Sequence, residues 1–354
     1  MINEICSEFK SGKNIKADSI SENGEYPVFG GNGLRGYTAS YNHEGLYVLI
    51  GQQGALCGNV RSVNGKTYIT EHAIAAAGNE KSNTSFLHYL FIKMNLGQYS
   101  DQSAQPGLAV NKLLKLKVSL PPISEQKKIA KLLSLLDERI ATQNKIIEDL
   151  KMLKSAIIEK HYCKVEKQIA CVGDLGEPFS VGNLAKDDLT ETGIPCVIYG
   201  ELFTTYGETI SQIESHTYKT EGIILSKKGD LLFPSSTTVD AMSLIAPSVI
   251  NMDGVILGGD MFGIHISPNF NAQYLSYYFN HIAKRQLAKF AKGSTIIHLH
   301  YADIEKAKLL LPSLEEQNRM AKCLVTLDDK IKKERTFFDL LNSQKAYLLC
   351  HMFI

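Results

Sequence analysis

Leu120-Pro121-Pro122-Ile123-Ser124-Glu125-Gln126 recurs as Leu311-Pro312-Ser313-Leu314-Glu315-Glu316-Gln317, an offset of 191 residues. The match continues in the same register. Ala130 meets Ala321, Lys131 meets Lys322, Leu133 meets Leu324, Leu136 meets Leu327, Asp137 meets Asp328 and Ile140 meets Ile331. The starts of the two halves agree more loosely, Ile5-x3-Phe9-x2-Gly12 against Leu175-x3-Phe179-x2-Gly182. Self-similarity of this length in one register marks an internal duplication, with copies over residues 1–164 and 165–354.

Each copy has the same internal order. Short β-type runs come first, such as Leu46–Ile50 and Gly254–Leu257, punctuated by glycine and other turn residues. Helical segments follow around Phe86–Met94 and Ala272–Phe290, and closing strands are predicted at Leu116–Leu120 and Lys308–Leu311. After the proline the apolar period changes to alternating steps of three and four. Leu133, Leu136, Ile140, Ile147, Leu150 and Ile157 form one seam, and Leu324, Leu327, Ile331, Phe338, Leu341 and Leu348 form the other. Both seams are interrupted at matching polar positions, Gln143 with Glu334 and Lys154 with Lys345. Proline before the run and acids in its first turn suit a helix start. About 37 residues would make a helix of ~55 Å. An apolar seam that long needs a partner, and the other copy offers one. The alternative is two amphipathic helices, each packed on its own domain. The predicted fold is α+β: two mixed α/β globules joined by two long helices paired as a coiled coil, with an internal pseudo-twofold repeat. The boundaries are 1–120 and 165–311 for the globules, 121–164 and 312–354 for the helices.

Composition narrows the function only by exclusion. The net charge of +1 neither points to nucleic acid nor excludes it, because a basic face can be offset by acidic helices. Seven widely spaced cysteines without a CxxC pair suggest reduced thiols in a cytoplasmic protein. The start MINEICSEFKSGK lacks a signal peptide's apolar core, and no run suits a membrane span. Gly31-Asn32-Gly33-Leu34-Arg35-Gly36 fits the dinucleotide fingerprint GxGxxG, but a β run follows where a helix is required, so it reads as a glycine-rich turn. Glu8-Phe9-Lys10 and Glu125-Gln126-Lys127 are ExK tripeptides without a partner Asp strand, and Pro121-Pro122 lacks the flanks of a methyltransferase loop. His298 and His300 have no third metal ligand at believable spacing and read as polar surface. No catalytic residue, metal site or bound cofactor is expected.

With Leu-Pro-Pro-x-x-Glu-Gln-Lys-Lys-Ile at 120–129 and Leu-Leu-x-x-Leu-Asp-x-x-Ile at 132–140 stand Tyr26–Gly33, Ile50–Gly58 and Gln105-Pro106-Gly107-Leu108. Together these resemble the specificity subunit of type I restriction–modification systems, over essentially the whole chain. The resemblance implies globules at opposite ends of an antiparallel helix pair, each reading one half of a split double-stranded DNA target. It implies as partners methyltransferase subunits, which carry the S-adenosylmethionine chemistry, and a translocating endonuclease subunit. The chain itself would be a non-catalytic targeting subunit.

Base edges are read by Arg, Lys, Asn, Gln, Ser and Thr on loops. The candidates in the first globule are Asn32, Arg35, Gln52, Gln53, Arg61 and Gln105. In the second they are Lys227, Lys228, Ser235, Ser236, Thr237, Thr238, Lys292, Ser294, Thr295 and His298. The rival readings are a stand-alone nucleic-acid enzyme, a specificity subunit without a cognate partner, and a coiled-coil dimeriser with globules that bind something other than DNA.

Overall fold

The computed structural model describes residues 1–101 and 106–353. The first globule contains β1 (Cys6–Ser11), β2 (Tyr26–Gly30), β3 (Gly33–Thr38), β4 (His43–Glu44), β5 (Tyr47–Gly51), β6 (Val60–Val63), β7 (Lys66–Ile69) and β8 (Ala73–Gly78). They form two sheets, ordered β1-β8-β5-β6 and β3-β2-β7-β4. The GxGxxG segment turns between β2 and β3, which pair antiparallel.

The second copy supplies β9 (Gln168–Cys171), β10 (Gly176–Ser180), β11 (Leu189–Thr190), β12 (Ile194–Ile198), β13 (Thr209–Ile210), β14 (Ser215–Thr217) and β15 (Ile224–Leu225). It continues with β16 (Asp230–Pro234), β17 (Ser236–Thr237), β18 (Ser248–Ile250), β19 (Ile256–Gly258), β20 (Met261–Ile266), β21 (Ile297–His298) and β22 (Lys308–Leu311). The order β10-β20-β16-β18 repeats β1-β8-β5-β6. The parallel pair β12 and β19 repeats the parallel pair β2 and β7. The duplication is therefore one of fold, beyond the helix-start motif.

Strand periodicity explains how each sheet buries both faces. Successive side chains alternate, so Val48 and Ile50 pack with Ile74 and Ala76 against Phe86, Leu87 and Phe91 of the helix Thr84–Met94. Leu49 points the other way, to Ile69, Ala73 and Ala75. In the second globule Leu231 and Phe233 meet Tyr274, Leu275 and Phe279 of the helix Ala272–His281. Leu232 faces Val197, Leu257 and Met261.

The closing strands differ between copies. β22 pairs with β9 over four residues. In the first copy Ile2 N–H donates to Leu116 O at 3.1 Å and Asn3 N–H to Leu114 O at 3.2 Å. No described strand runs alongside 116–120, so the strand expected at Leu116–Leu120 does not form.

The helix-start motif has a physical cause. The globular helices are capped by Asn83 and Asn271, whose side chains accept from Phe86 N at 3.0 Å and Tyr274 N at 2.8 Å. The backbone N–H of each cap donates to a glutamine of the long helix, Asn83 to Gln126 and Asn271 to Gln317, both at 2.9 Å. The same glutamines donate through Nε2 to Pro121 O and Pro312 O, again at 2.9 Å. Both are 1% exposed. Each glutamine thus ties the end of its globule to the first turn of its long helix.

Those helices run Ile123–Lys164 and Leu314–His351, 42 and 38 residues. The chain divides into two compact units, Met1–Lys145 with Arg335–Ile354, and Ile146–Glu334. Each unit contains the start of one long helix and the end of the other. In the first unit Asp137 pairs with Lys345 while Arg139 lies over the Phe337 ring. In the second, Lys154 pairs with Asp328 while His161 pairs with Glu316. One number rises as the other falls, so the segments are antiparallel in both units.

The seam face has two uses. Leu133 and Leu324 are fully buried inside the globular cores, and Leu348 and Ile157 pack on the core of the globule where their helix ends. Leu136, Ile147 and Leu341 are buried, whereas Ile140, Leu150, Leu327, Ile331 and Phe338 are half-buried.

Two of the breaks in the seam, Lys154 and Lys345, are ionic contacts, the first buried and the second half-buried. Lys345 Nζ lies 2.5 Å from Asp137 Oδ1, and Tyr89 O–H donates to the same carboxylate at 2.9 Å. The duplicate is Lys154 Nζ to Asp328 Oδ1 at 2.7 Å, with Tyr277 O–H donating to Asp328 at 2.5 Å. Lys154 adds a 2.9 Å contact to Glu208, which also lies 2.8 Å from His281 Nε2. Burial alone would raise the Glu208 carboxyl, but His281 and Lys154 hold it down at about 2. The Lys154 side chain is 9% exposed and that of Lys345 is 24%. Removing one member of a buried pair costs about 3–5 kcal/mol, against about 0–1 kcal/mol for an exposed pair. Lys154→Met should therefore destabilise the second unit by several kcal/mol and Lys345→Met the first by about one. Hydrogen exchange in a urea series, resolved by globule, measures both, and equal costs would contradict this assignment.

Candidate nucleic-acid interface

In the first globule β5 ends at Gly51 and is followed by Gln52 and the exposed Gln53. Gln52 N–H donates to His72 O at 3.0 Å, and Leu108 N–H donates to Gln52 O at 2.9 Å. Gly54 N–H donates to Pro106 O and Asp101 N–H to Gly107 O, at 3.0 and 3.1 Å. This clamps Pro106–Leu108 onto the end of β5. The Gln52 side chain accepts from Ser11 Oγ at 2.7 Å and donates to Leu108 O, so its amide is occupied inside the fold. Gln53 is exposed, with Oε1 3.2 Å from His72 Nδ1.

The β2–β3 turn rises beside it. A Cβ on Gly31 would lie 2.7 Å from His72 O, so only glycine permits this approach. Gly33 has φ +107°, and a Cβ there would lie 2.6 Å from Arg61 Nη1. The guanidinium thus lies against bare backbone. A Cβ on Gly30 would come within 2.9 Å of Arg35 Cδ. The structure brings Asn32, Arg35, Gln53 and Arg61 together, all exposed, around one turn. Gln105 lies outside the described residues.

The second globule repeats the frame with other side chains. Ser235 N–H donates to Asp260 O at 2.8 Å, Leu299 N–H to Ser235 O at 2.9 Å, and Lys292 N–H to His298 O at 2.9 Å. Ser236 pairs with His298 in a short antiparallel ladder, as Gln53 pairs with Gly107. Ser235 and Ser236 are buried in that frame, whereas Thr238, Lys292, Ser294 and Thr295 are exposed and Thr237 and His298 half-buried. Lys227 and Lys228 lie elsewhere. They precede β16, their N–H groups donating to Asp230 and Asp253, while Ser235 follows that five-residue strand. At ~3.3 Å per residue the two ends are about 17 Å apart.

A cavity of about 770 Å³ opens beside Thr237 and Thr238, walled by Tyr199, Phe203, Thr204 and Lys284. Tyr199–Tyr206 follow β12, as the Gly31–Arg35 turn follows β2, so they occupy the corresponding place. Sequence reading missed them because this stretch aligns with nothing in the first copy; only the shared parallel strand pair identifies it.

One brace is repeated with its charges exchanged. Lys112 Nζ is 2.7 Å from Asp101 in the first globule, and Lys292 Nζ is 2.5 Å from Asp303 in the second. The Lys292 hydrogen bond, then the His300 N–H, lowers the Asp303 carboxyl below its ordinary value. All seven cysteines are free thiols. Among the described residues no cluster of three or more His, Cys, Asp or Glu could hold a metal ion, and no helix is long and apolar enough to cross a membrane.

The brace yields a prediction. Lys112→Asp should speed hydrogen exchange of the Leu108 amide by up to about fivefold, the scale of an exposed ion pair. Adding Asp101→Lys should restore it. Equal exchange in the single and double variants would show that the brace does not hold the loop.

A family model for the type I restriction modification DNA specificity domain matches residues 1–152 and 164–336. The EcoprrI specificity subunit of Escherichia coli is 45% identical over 134 residues, covering 37% of this chain and 33% of that protein. A putative type I restriction enzyme specificity subunit of Haemophilus influenzae is 24% identical over 336 residues, covering 91% and 85%. The crystal structure of the S subunit from M. genitalium superimposes with a TM-score of 0.70 at 16% identity, over 100% of this chain and 95% of that one.

Proposed function

The chain belongs to the type I restriction–modification DNA specificity family, and we propose that each of its globules reads one half of a split double-stranded DNA target. One observation carries the reading: two copies of a single backbone frame present different polar side chains at the corresponding place. Gln53, Arg35 and Arg61 stand at one frame and Thr237, Thr238 and Lys292 at the other. A shared frame suits a shared task, docking on a duplex, and different side chains suit different base sequences.

The long helices then have two roles in this reading. Their length sets the distance between the half-targets. Their outer faces, with exposed Leu132, Leu135, Met152, Leu153 and Leu340, dock the methyltransferase subunits. Those subunits bind S-adenosylmethionine and transfer the methyl group; a translocating endonuclease subunit joins them for restriction. The chain is a targeting subunit and contributes specificity rather than chemistry.

The purified chain should transfer no methyl group to DNA on its own and should confer methylation at one split sequence when assembled with its methyltransferase subunits. Labelled methyl donor with plasmid, with and without those subunits, measures this. Methyl transfer by the chain alone, or methylation without sequence preference by the assembly, would overturn the proposal.

A further inference from the structure

Two of the six arginines in the chain, Arg35 and Arg61, belong to the first globule, and both lean on the turn at Gly30–Gly33. They come from different sheets, Arg35 from β3 and Arg61 from β6. Both are exposed, and neither forms an ion pair with a described residue. The Arg61 guanidinium lies beside Gly33, which has no side chain to cover it. Its donor fork is available to an external ligand with two adjacent acceptors.

Such a fork fits a phosphate or the O6/N7 edge of guanine. The duplication separates these choices. Both globules meet the same phosphate backbone, so a phosphate-positioning cation should recur at the corresponding place in each. Base readers should differ. Leu49 pairs with Arg61 as Leu232 pairs with Ser248, so Ser248 is the counterpart of Arg61. Ser248 is fully buried, its hydroxyl donating to Gly207 O at 2.6 Å. The counterpart of the Arg35 turn is Tyr199–Tyr206, which contains no arginine. The arginine pair is private to the first globule.

We propose that Arg61 and Arg35 each read a guanine, so that the half-target of the first globule holds two fixed G·C pairs with no matching arginine pair at the corresponding places of the second globule. This rests on the DNA-reading role proposed above. Lysine would substitute only in part, because it carries a compact point charge in place of the planar fork.

The test uses the full chain assembled with its methyltransferase subunits in cells, with methylated sites mapped genome-wide. Arg61→Ala and Arg35→Ala should each relax a different G·C position in the same half-target, lowering discrimination there about ten- to a hundredfold. Arg61→Lys and Arg35→Lys should relax the same positions while retaining charge. Unchanged thermal midpoint and co-purification with the methyltransferase subunits establish that each variant is assembled. A uniform fall in methylation with the motif intact would identify phosphate contacts and overturn the inference, as would relaxation at an A·T pair or no change. Wild-type methylation without a split motif would instead overturn the DNA-reading role itself.

Discussion

The structure depends on a buried glutamine used twice. Gln126 and Gln317 accept from the cap of a globular helix and donate to the carbonyl of a proline at the start of a long one. Buried amides are costly unless bonded, so each glutamine fixes a single relation between globule and helix. Replacing it with an apolar residue would leave a half-buried N–H and its proline carbonyl without their partner, up to about 1–3 kcal/mol each. The antiparallel contacts are fixed in the same way, by Lys345 on Asp137 in one unit and Lys154 on Asp328 in the other. Apolar contacts supply most of the burial. These polar contacts select the register, because a shifted helix would bury an unpaired charge.

Duplication lets this frame be conserved while the exposed surface varies. The hydrogen bonds that place Gln52 and Ser235 are the same backbone bonds, and so are those that close the loops at Leu108 and Leu299. Backbone bonds do not constrain which side chain stands outside them. The result is a scaffold on which Gln53 in one copy can stand where Ser236 stands in the other, or a lysine–aspartate brace can exchange its charges, without a change of fold.

Legibility followed the physics of each feature. The repeat and the two long helices were plain in the sequence because helix period and the proline are local signals. The reason for the Glu-Gln pair was not, since its partners Asn83 and Asn271 lie more than forty residues upstream. Gln143 and Lys154 read as interruptions of an apolar seam; that Lys154 is a buried ion partner required knowing which helix lies opposite. Leu133 and Leu324 read as seam residues and serve the globular cores as well. The closing strand at Leu116–Leu120 was expected from its β-type composition, but a strand needs a neighbour. Among candidate readers, Asn32, Arg35, Gln53 and Arg61 converge, whereas Lys227 and Lys228 fall at the far end of β16 because composition carries no strand polarity.

The central claim is that the two globules read DNA independently within a common frame. Exchanging residues 1–120 for the corresponding globule of a relative, with Gln126 and Asp137 retained, tests it directly when the methylated sites of the assembled complex are mapped. One half-target should change to that of the donor, while the other half remains as before. A change in both halves, or in neither, would contradict the claim.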